Sequence, residues 1–308
     1  MLDVRRLRVL REVVARGSFS AAADALHLSQ SAVSQQVAAL EREVGLQILE
    51  RSSEGPKLTP AGERLSSHAD AVIARLDEAE RELADIAGLE GGRLRLISFP
   101  TASATLMTQA MSEFRARHPQ IELQFAEGEP DESVPAVKRG DYDLALAFDF
   151  VAFPKDFGRD VETELIFEDP MYIALPPGHP LAASKAIDIA ALADEDWLAA
   201  EEPSACREHV INHCRAAGFE PKVSFESDDY QVLQGLVAAG LGVGLLPELA
   251  QRDPSVEWRE IKPDPPLRRV WAVTRGSDSR SPAAGEMLVI LREVGANYSG
   301  RQSLRAVA

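Results

Sequence analysis

The sequence predicts an α+β chain of several domains: a small helical head closed by a hairpin, one long helix, and a two-lobed α/β body. Three observations carry this expectation. Residues 1–59 read as short amphipathic helices punctuated by serine and glycine. Residues 60–90 keep an apolar heptad for three repeats. Beyond Gly91-Gly92 the pattern becomes strand and helix in alternation. At about 100–200 residues per domain, 308 residues accommodate two or three such units.

Charge divides the chain in the same way. There are 33 Lys and Arg against 49 Asp and Glu, a formal net charge of −16. Residues 1–64 hold nine cationic and eight acidic side chains, so the remainder carries −17. Net acidity excludes a general polyanion binder, while the near-neutral head leaves room for a local nucleic-acid site. Two cysteines exclude a disulfide scaffold and point to a reducing compartment. No run of about 18 apolar residues could span a bilayer. No apolar core of signal-peptide length follows Met1-Leu2-Asp3-Val4-Arg5-Arg6, so the expected location is cytoplasmic.

In the head, Leu7, Leu10 and Val14 recur at helical spacing and Gly17 ends that helix. Ser18 and Ser20 are candidate caps for a two-turn helix burying Ala22, Ala23 and Leu26. His27-Leu28 make a tight connection. Ser29 caps a longer helix with Val33, Val37, Leu40 and Val44 inside, ended by Gly45. Two helices joined by a short turn, with alanines where they cross, form a helix-turn-helix. The outer face of the second carries Gln30, Ser31, Ser34, Gln35 and Ala38, where a solvated face would carry Lys and Glu. Gln pairs bidentately with adenine, and Ser and Ala admit the backbone close to base edges and thymine methyls. The expected DNA-facing set is therefore Ser29, Gln30, Ser31, Ala32, Ser34 and Gln35. A hairpin around Gly55-Pro56 forms a wing that offers Arg51 and Lys57 to phosphates or the minor groove.

Thr59-Pro60 opens the long helix with proline at its first position. Leu65, Ala69, Val72, Leu76, Ala79, Leu83 and Ile86 follow at alternating spacings of four and three, flanked by charge. That pattern predicts a self-pairing coiled coil across residues 60–90.

The body, residues 91–308, opens with the order strand, helix, strand, helix, strand: 93–98, 101–118, 121–125, 130–139 and 144–148. That order implies a parallel sheet with ligand sites at the carboxyl ends of its strands. The chain crosses near residues 164–167 into a second unit, with strands at 171–175, 223–226 and 242–246 and helices at 202–216 and 230–239. It returns at 263–266, with a strand at 270–273 and a closing helix at 284–298. The first lobe is thus about 91–165 with 266–300, and the second about 166–265. Two lobes with two crossings make a cleft for a small ligand. Its expected lining is Ser98, Thr101, Ala102, Ser103, Glu127, Gly128 and Asp149 from the first lobe. Glu202, Ser204, Ser227 and Asp228 come from the second. Helix starts at Thr101 and Ser103 favour an anion, but the acidic neighbours oppose one. A neutral, zwitterionic or weakly acidic molecule with some apolar body fits best, and a cation is the alternative.

The run from Phe19 to Val37, Phe-Ser-Ala-Ala-Ala-Asp-Ala-Leu-His-Leu-Ser-Gln-Ser-Ala-Val-Ser-Gln-Gln-Val, resembles the LysR-type transcriptional regulator family. So do Leu40-Glu41, Gly45, Arg51 and Leu58-Thr59-Pro60-Ala61-Gly62. The body agrees at Gly178-His179-Pro180-Leu181, Ala217-Gly218-Phe219 and Leu236 to Pro247. Leu49 stands where the family often has Phe, and the wing from Ser52 to Lys57 carries fewer basic residues than in many relatives. The resemblance implies a winged helix-turn-helix, an effector domain resembling periplasmic binding proteins, and no enzymatic activity or cofactor. It also implies a homodimer paired through the connecting helix and usually assembled into a tetramer, acting on double-stranded, dyad-symmetric DNA.

Competing signals are weaker. Gly240, Gly242 and Gly244 follow a helix and precede a strand, the reverse of a dinucleotide-binding loop, which argues against an enzyme. His179 in Gly-His-Pro reads as a turn residue. His209 and His213 share a helix face that reads as solvated, with no metal expected. Cys206 and Cys214 would be the pair of a redox-sensing relative, but eight residues of helix separate them by about 12 Å, too far for a disulfide without unwinding.

Overall fold

The computed structural model describes residues 2–52, 55–86, 92–251, 253–276 and 280–305; the side chains of residues 51, 52, 77, 78, 80–86 and 299–305 lie outside that description. In the head, α1 (Val4–Arg16) starts where Asp3 accepts from the Arg5 N–H and ends at Gly17, whose φ of 58° suits a residue without Cβ. Ser18 caps α2 (Phe19–Ala25) and Ser29 caps α3 (Gln30–Val44), each hydroxyl accepting from the N–H three residues on. Leu7, Leu10, Val13, Ala22, Val33, Val37 and Leu40 meet in one core with Ile48 and Leu49. The wing, β1 (Leu49–Ser52) and β2 (Gly55–Leu58), is antiparallel with Leu49 opposite Leu58. Glu41 fastens it to α3 by accepting from the N–H groups of Ile48 and Leu49 at 2.9 and 3.2 Å.

The long helix α4 (Pro60–Ile86) begins at Thr59, whose hydroxyl donates to the Gln47 carbonyl at 2.8 Å and accepts from the Gly62 N–H at 3.0 Å. A Cβ at Gly62 would overlap the Ile48 carbonyl oxygen, so this close approach of helix to wing needs glycine. The heptad read from the sequence divides between two faces. Leu65 and Ala69 turn into the head core together with Ile73, which the heptad left out. Val72 and Leu76 remain 44% and 40% exposed on the adjacent face, as does Ala79. At 3.6 residues per turn the i, i+4, i+8 row leans by about 40° per step to one side of the heptad row, and that side packs on the head. Leu83 and Ile86 fall among the side chains outside the description.

In the body, β3 (Arg93–Ser98) leads to a one-turn α5 (Pro100–Ala102), a π turn (Ser103–Met107) and α6 (Thr108–Arg117). Then follow β4 (Glu122–Glu127), α7 (Pro130–Arg139), β5 (Leu144–Phe150) and β6 (Val161–Leu175). The second lobe adds β7 (Ala186–Ile187), β8 (Asp196–Ala199), α8 (Ala205–Ala216), β9 (Lys222–Glu226), α9 (Tyr230–Ala238), β10 (Val243–Pro247) and β11 (Glu257–Ile261). Finally β12 (Leu267–Arg275) returns to the first lobe and α10 (Pro282–Arg305) closes it. The sheet path is β4-β3-β5-β12-β6-β10-β8-β9. Strands β3, β4 and β5 are parallel, as are β8, β9 and β10, whereas β6 and β12 run antiparallel to one another and join the halves. Strand β6 begins at Val161, earlier than its apolar end at Met171–Leu175 announces, because its first half is an exposed, Glu-bearing stretch. Strands β7, β8 and β11 went unread in the sequence; each is short and lacks the alternation that marks a half-buried strand. Among the described residues no helix is long and apolar enough to cross a membrane.

Candidate DNA-reading face and interlobe site

Two surfaces assemble chemistry-bearing residues. The first is the outer face of α3. Ser29, Gln30, Ser31 and Gln35 are exposed and Ala32 and Ser34 half-buried, so the helix start presents short polar groups and no large side chain. Ser29 serves twice, capping the helix through the Ala32 N–H at 3.2 Å and sharing a hydrogen bond with Ser31 at 3.0 Å. Gln36, one residue around, is instead held by Arg6 at 3.3 Å. Lys57 is exposed on β2, across the wing from Glu50; the Arg51 side chain lies outside the described residues.

The second is the junction of the lobes. Arg268 on β12 and Asp169 on β6 stand opposite one another in register on the two crossing strands. Both are essentially sealed from solvent, 1% and 0% exposed. The guanidinium donates to Asp169 Oδ2 at 2.6 and 3.0 Å and to Thr101 Oγ1 at 2.8 Å. It lies over the rings of Phe99 and Phe148, 5.0 and 5.1 Å from their centroids. The other Asp169 oxygen accepts from the Leu249 N–H at 3.1 Å. Burial pushes the Asp169 carboxyl upward against the opposing pull of Arg268. Burial also works against the Arg268 charge, yet the acids around it, Asp169 foremost, raise it overall.

Facing this pair from the second lobe, the Tyr230 hydroxyl is hydrogen-bonded to Cys206. Burial pushes the thiols of Cys206 and Cys214 up, Cys214 to about 12, which leaves neither the thiolate character of a reactive cysteine. His209, on the same helix, is 1% exposed rather than solvated. Its ring stacks on Phe150 of the first lobe with centroids 3.9 Å apart, and neither ring nitrogen has a hydrogen-bond partner among the described residues. Burial, with His213 and Arg268, lowers it to about 3. At the rim, partial burial raises the Glu129 carboxyl, opposed by Arg268 and reinforced by Asp228 across the cleft.

The expected lining residues are dispersed by their own hydrogen bonds. Thr101 reaches the junction by accepting from Arg268, whereas the exposed Asp228 accepts from the Glu201 N–H at 3.0 Å. Ser98 and Ser103 are buried, with hydroxyls donating to nearby carbonyls, Ser103 to Ser98 and Phe99 at 3.1 and 3.0 Å. Ala102 is core. Asp149 is taken by Arg269 and by the Trp271 indole, each at 2.9 Å from Oδ1. Glu202 is held by Arg207 at 3.0 Å, and Ser204 caps α8. Ser227 accepts from the Asp229 N–H, Glu127 is exposed, and the Gly128 N–H donates to Ser98. Arg268, Asp169, Tyr230 and His209 were not singled out as lining; the one signal for the first was a doubled arginine, Arg268-Arg269, inside a strand. His179 accepts from the Leu181 N–H and meets Glu195 at 3.2 Å, a turn residue. No group of three metal-ligating side chains gathers among the described residues.

Comparison with known proteins adds an independent line. Residues 4–63 match the bacterial regulatory helix-turn-helix protein model of the lysR family, and residues 87–296 match the LysR substrate binding domain. The transcriptional dual regulator GltC of Bacillus subtilis is 35% identical over 80% of this chain and 81% of its own length. The probable HTH-type transcriptional regulator LrrA of Synechococcus elongatus is 31% identical over 95% of this chain and 97% of its own. Among solved structures, a full-length OxyR variant from Pseudomonas aeruginosa is 27% identical, with a TM-score of 0.71 over 95% of both chains.

Proposed function

The chain belongs to the LysR family of DNA-binding transcriptional regulators with an effector-binding domain, and from that premise we propose how its own residues carry the task. Residues 1–59 read DNA, residues 60–90 pair two chains, and residues 91–308 hold the effector between lobes divided near residues 165 and 266. Gln30, Ser31, Ser34 and Gln35 read base edges in the major groove, with Ser29 and Ala32 at the helix start, while Arg51 and Lys57 of the wing hold the backbone. The exposed row Val72, Leu76 and Ala79 is the seam of a homodimer, which doubles into a tetramer on a dyad-symmetric operator. The protein acts in the cytoplasm and catalyses no reaction.

One observation carries the effector chemistry. Arg268, the cation at the cleft floor, is already matched by Asp169 at 2.6 Å, and the rim carries Glu129 and Asp228. A strongly anionic ligand therefore meets no unmatched charge there. A neutral, zwitterionic or weakly acidic molecule with some apolar body suits this floor. The thiols favour this reading over a redox switch, since burial holds both in the protonated form.

Binding shifts the balance between two placements of the paired heads by the difference in its affinity for them. The test of the head is Gln35→Ala in footprinting of the full chain on the DNA flanking its own gene. The substitution should cost about 1–3 kcal/mol at one base pair and relax specificity there. An unchanged footprint and base preference would refute the groove assignment.

A further inference from the structure

Away from the cleft, the head, the long helix and the first lobe meet around a second recess. A cavity of about 260 Å³ opens between α1, α4 and α7. One wall is cationic: Arg11, Lys138 and Arg139. Another is apolar: Val14, Ala15 and Pro135. Arg11 lies 3.7 Å and Arg139 2.8 Å from the single carboxylate of Asp141, so that acid is shared between two guanidiniums. Asp70 enters from α4, and its Oδ1 is buried without a hydrogen-bond partner among the described residues. Neither neighbouring guanidinium closes on that oxygen, although both act on its charge, and partial burial raises its carboxyl against them. The three cations against Asp70 and Asp141 leave one positive charge.

A buried carboxylate oxygen that accepts nothing is uncommon and costly, because the group has given up water without a replacement donor. The Asp70 side chain lines a space that three cations also border. A simple anion would satisfy the cations but be repelled by Asp70. A simple amine would satisfy Asp70 but be repelled by the cations. A molecule carrying both charges a few ångströms apart answers both walls, and a short aliphatic group on it answers the third.

We propose that this recess binds a small α-amino acid with an aliphatic side chain, its ammonium donating to the Asp70 carboxylate and its carboxylate accepting from Arg11, Lys138 and Arg139. The side chain lies against Val14, Ala15 and Pro135. The site is separate from the interlobe cleft and draws on all three parts of the chain. Its occupant braces the DNA-reading head against the first lobe, beside the tight approach of Gly140 to Ala74, where an added Cβ would stand 3.3 Å from the Ala74 Cβ. Ligand held there stabilises this placement of the head over any that separates α1 from α7.

Titration calorimetry of L-valine into the full-length protein tests this, with isovalerate, which lacks the ammonium, and isobutylamine, which lacks the carboxylate, as partial probes. L-Valine should bind at a single site, each partial probe at least tenfold more weakly. Asp70→Asn and Lys138→Gln should each weaken valine at least tenfold, whereas Thr101→Val in the cleft should leave it unchanged, which separates this site from the proposed effector site. Thermal melting of each variant without ligand establishes that it is folded. No binding of valine to the parent protein, equal binding of isovalerate, or undiminished binding by folded Asp70→Asn would each overturn the proposal.

Discussion

Replacing Asp169 by Asn removes one charge from the junction of the lobes and leaves Arg268 buried without its counterion. The structure sets the magnitude. The guanidinium is 1% exposed, and its partners among the described side chains are Asp169 and the Thr101 hydroxyl. Breaking a buried pair by removing one partner costs about 3–5 kcal/mol, because the surviving charge is uncompensated. At about 2–4 °C per kcal/mol for a unit of this size, the melting transition of the body should fall by about 6–20 °C. The amide can still accept from the Leu249 N–H, so the loss reports the charge rather than the cap. Removing both partners, as Asp169→Leu with Arg268→Met, should return most of the stability, since well-packed apolar pairs often replace buried ion pairs without penalty. Calorimetric melts of the parent, Asp169→Leu, Arg268→Met and the double variant supply the cycle, with Asp169→Asn measured alongside. An Asp169→Asn protein that melts within about 2 °C of the parent, or a double variant less stable than either single one, would refute the buried-pair reasoning.

Two further expectations follow from the same structure. Leu76→Asp puts a carboxylate into the exposed row of α4, so sedimentation should show a smaller assembly, with head and body still folded; an unaltered oligomer would refute the seam. His209 titrates near 6.5 in the unfolded chain but only at about 3 in the fold. Between those values the unfolded chain binds the additional proton, so stability rises with pH through that window and is lost as pH falls, by up to ~1.4 kcal/mol per unit. His209→Phe should flatten this slope, and a slope unchanged from the parent would assign it elsewhere.

The head was legible because its signals are local. Ser18 and Ser29 cap helices within three residues of themselves, and Gly17 and Gly45 adopt the left-handed conformation that ends two of them. The junction was not legible because its pairings are remote. Arg268 meets Asp169 across 99 residues of sequence and Thr101 across 167. The strand's period of two sends adjacent arginines to opposite faces, Arg268 to Asp169 and Arg269 to Asp149. Asp149 therefore sat on the right strand end but was taken by a partner that sequence alone does not reveal. Ser98 and Ser103 show the converse limit: composition supplied hydroxyls near a helix start, but the carbonyls around the π turn claimed them. On α4, two rows of apolar residues overlap, and only packing decides which row meets the head.

The position of the ion pair also determines where an effector can exert leverage. Asp169 and Arg268 are in register on the strands that cross between lobes, so the pair lies where the two lobes join. A ligand contact made equally in both placements shifts nothing. Contacts able to differ lie farther out, where the Glu129 carboxyl of the first lobe feels the charge of Asp228 of the second. Two carboxylates approaching across a narrowing mouth repel unless a proton or a ligand donor stands between them. A ligand that places a donor there is rewarded only in the closed arrangement, which is the differential affinity that a population shift requires.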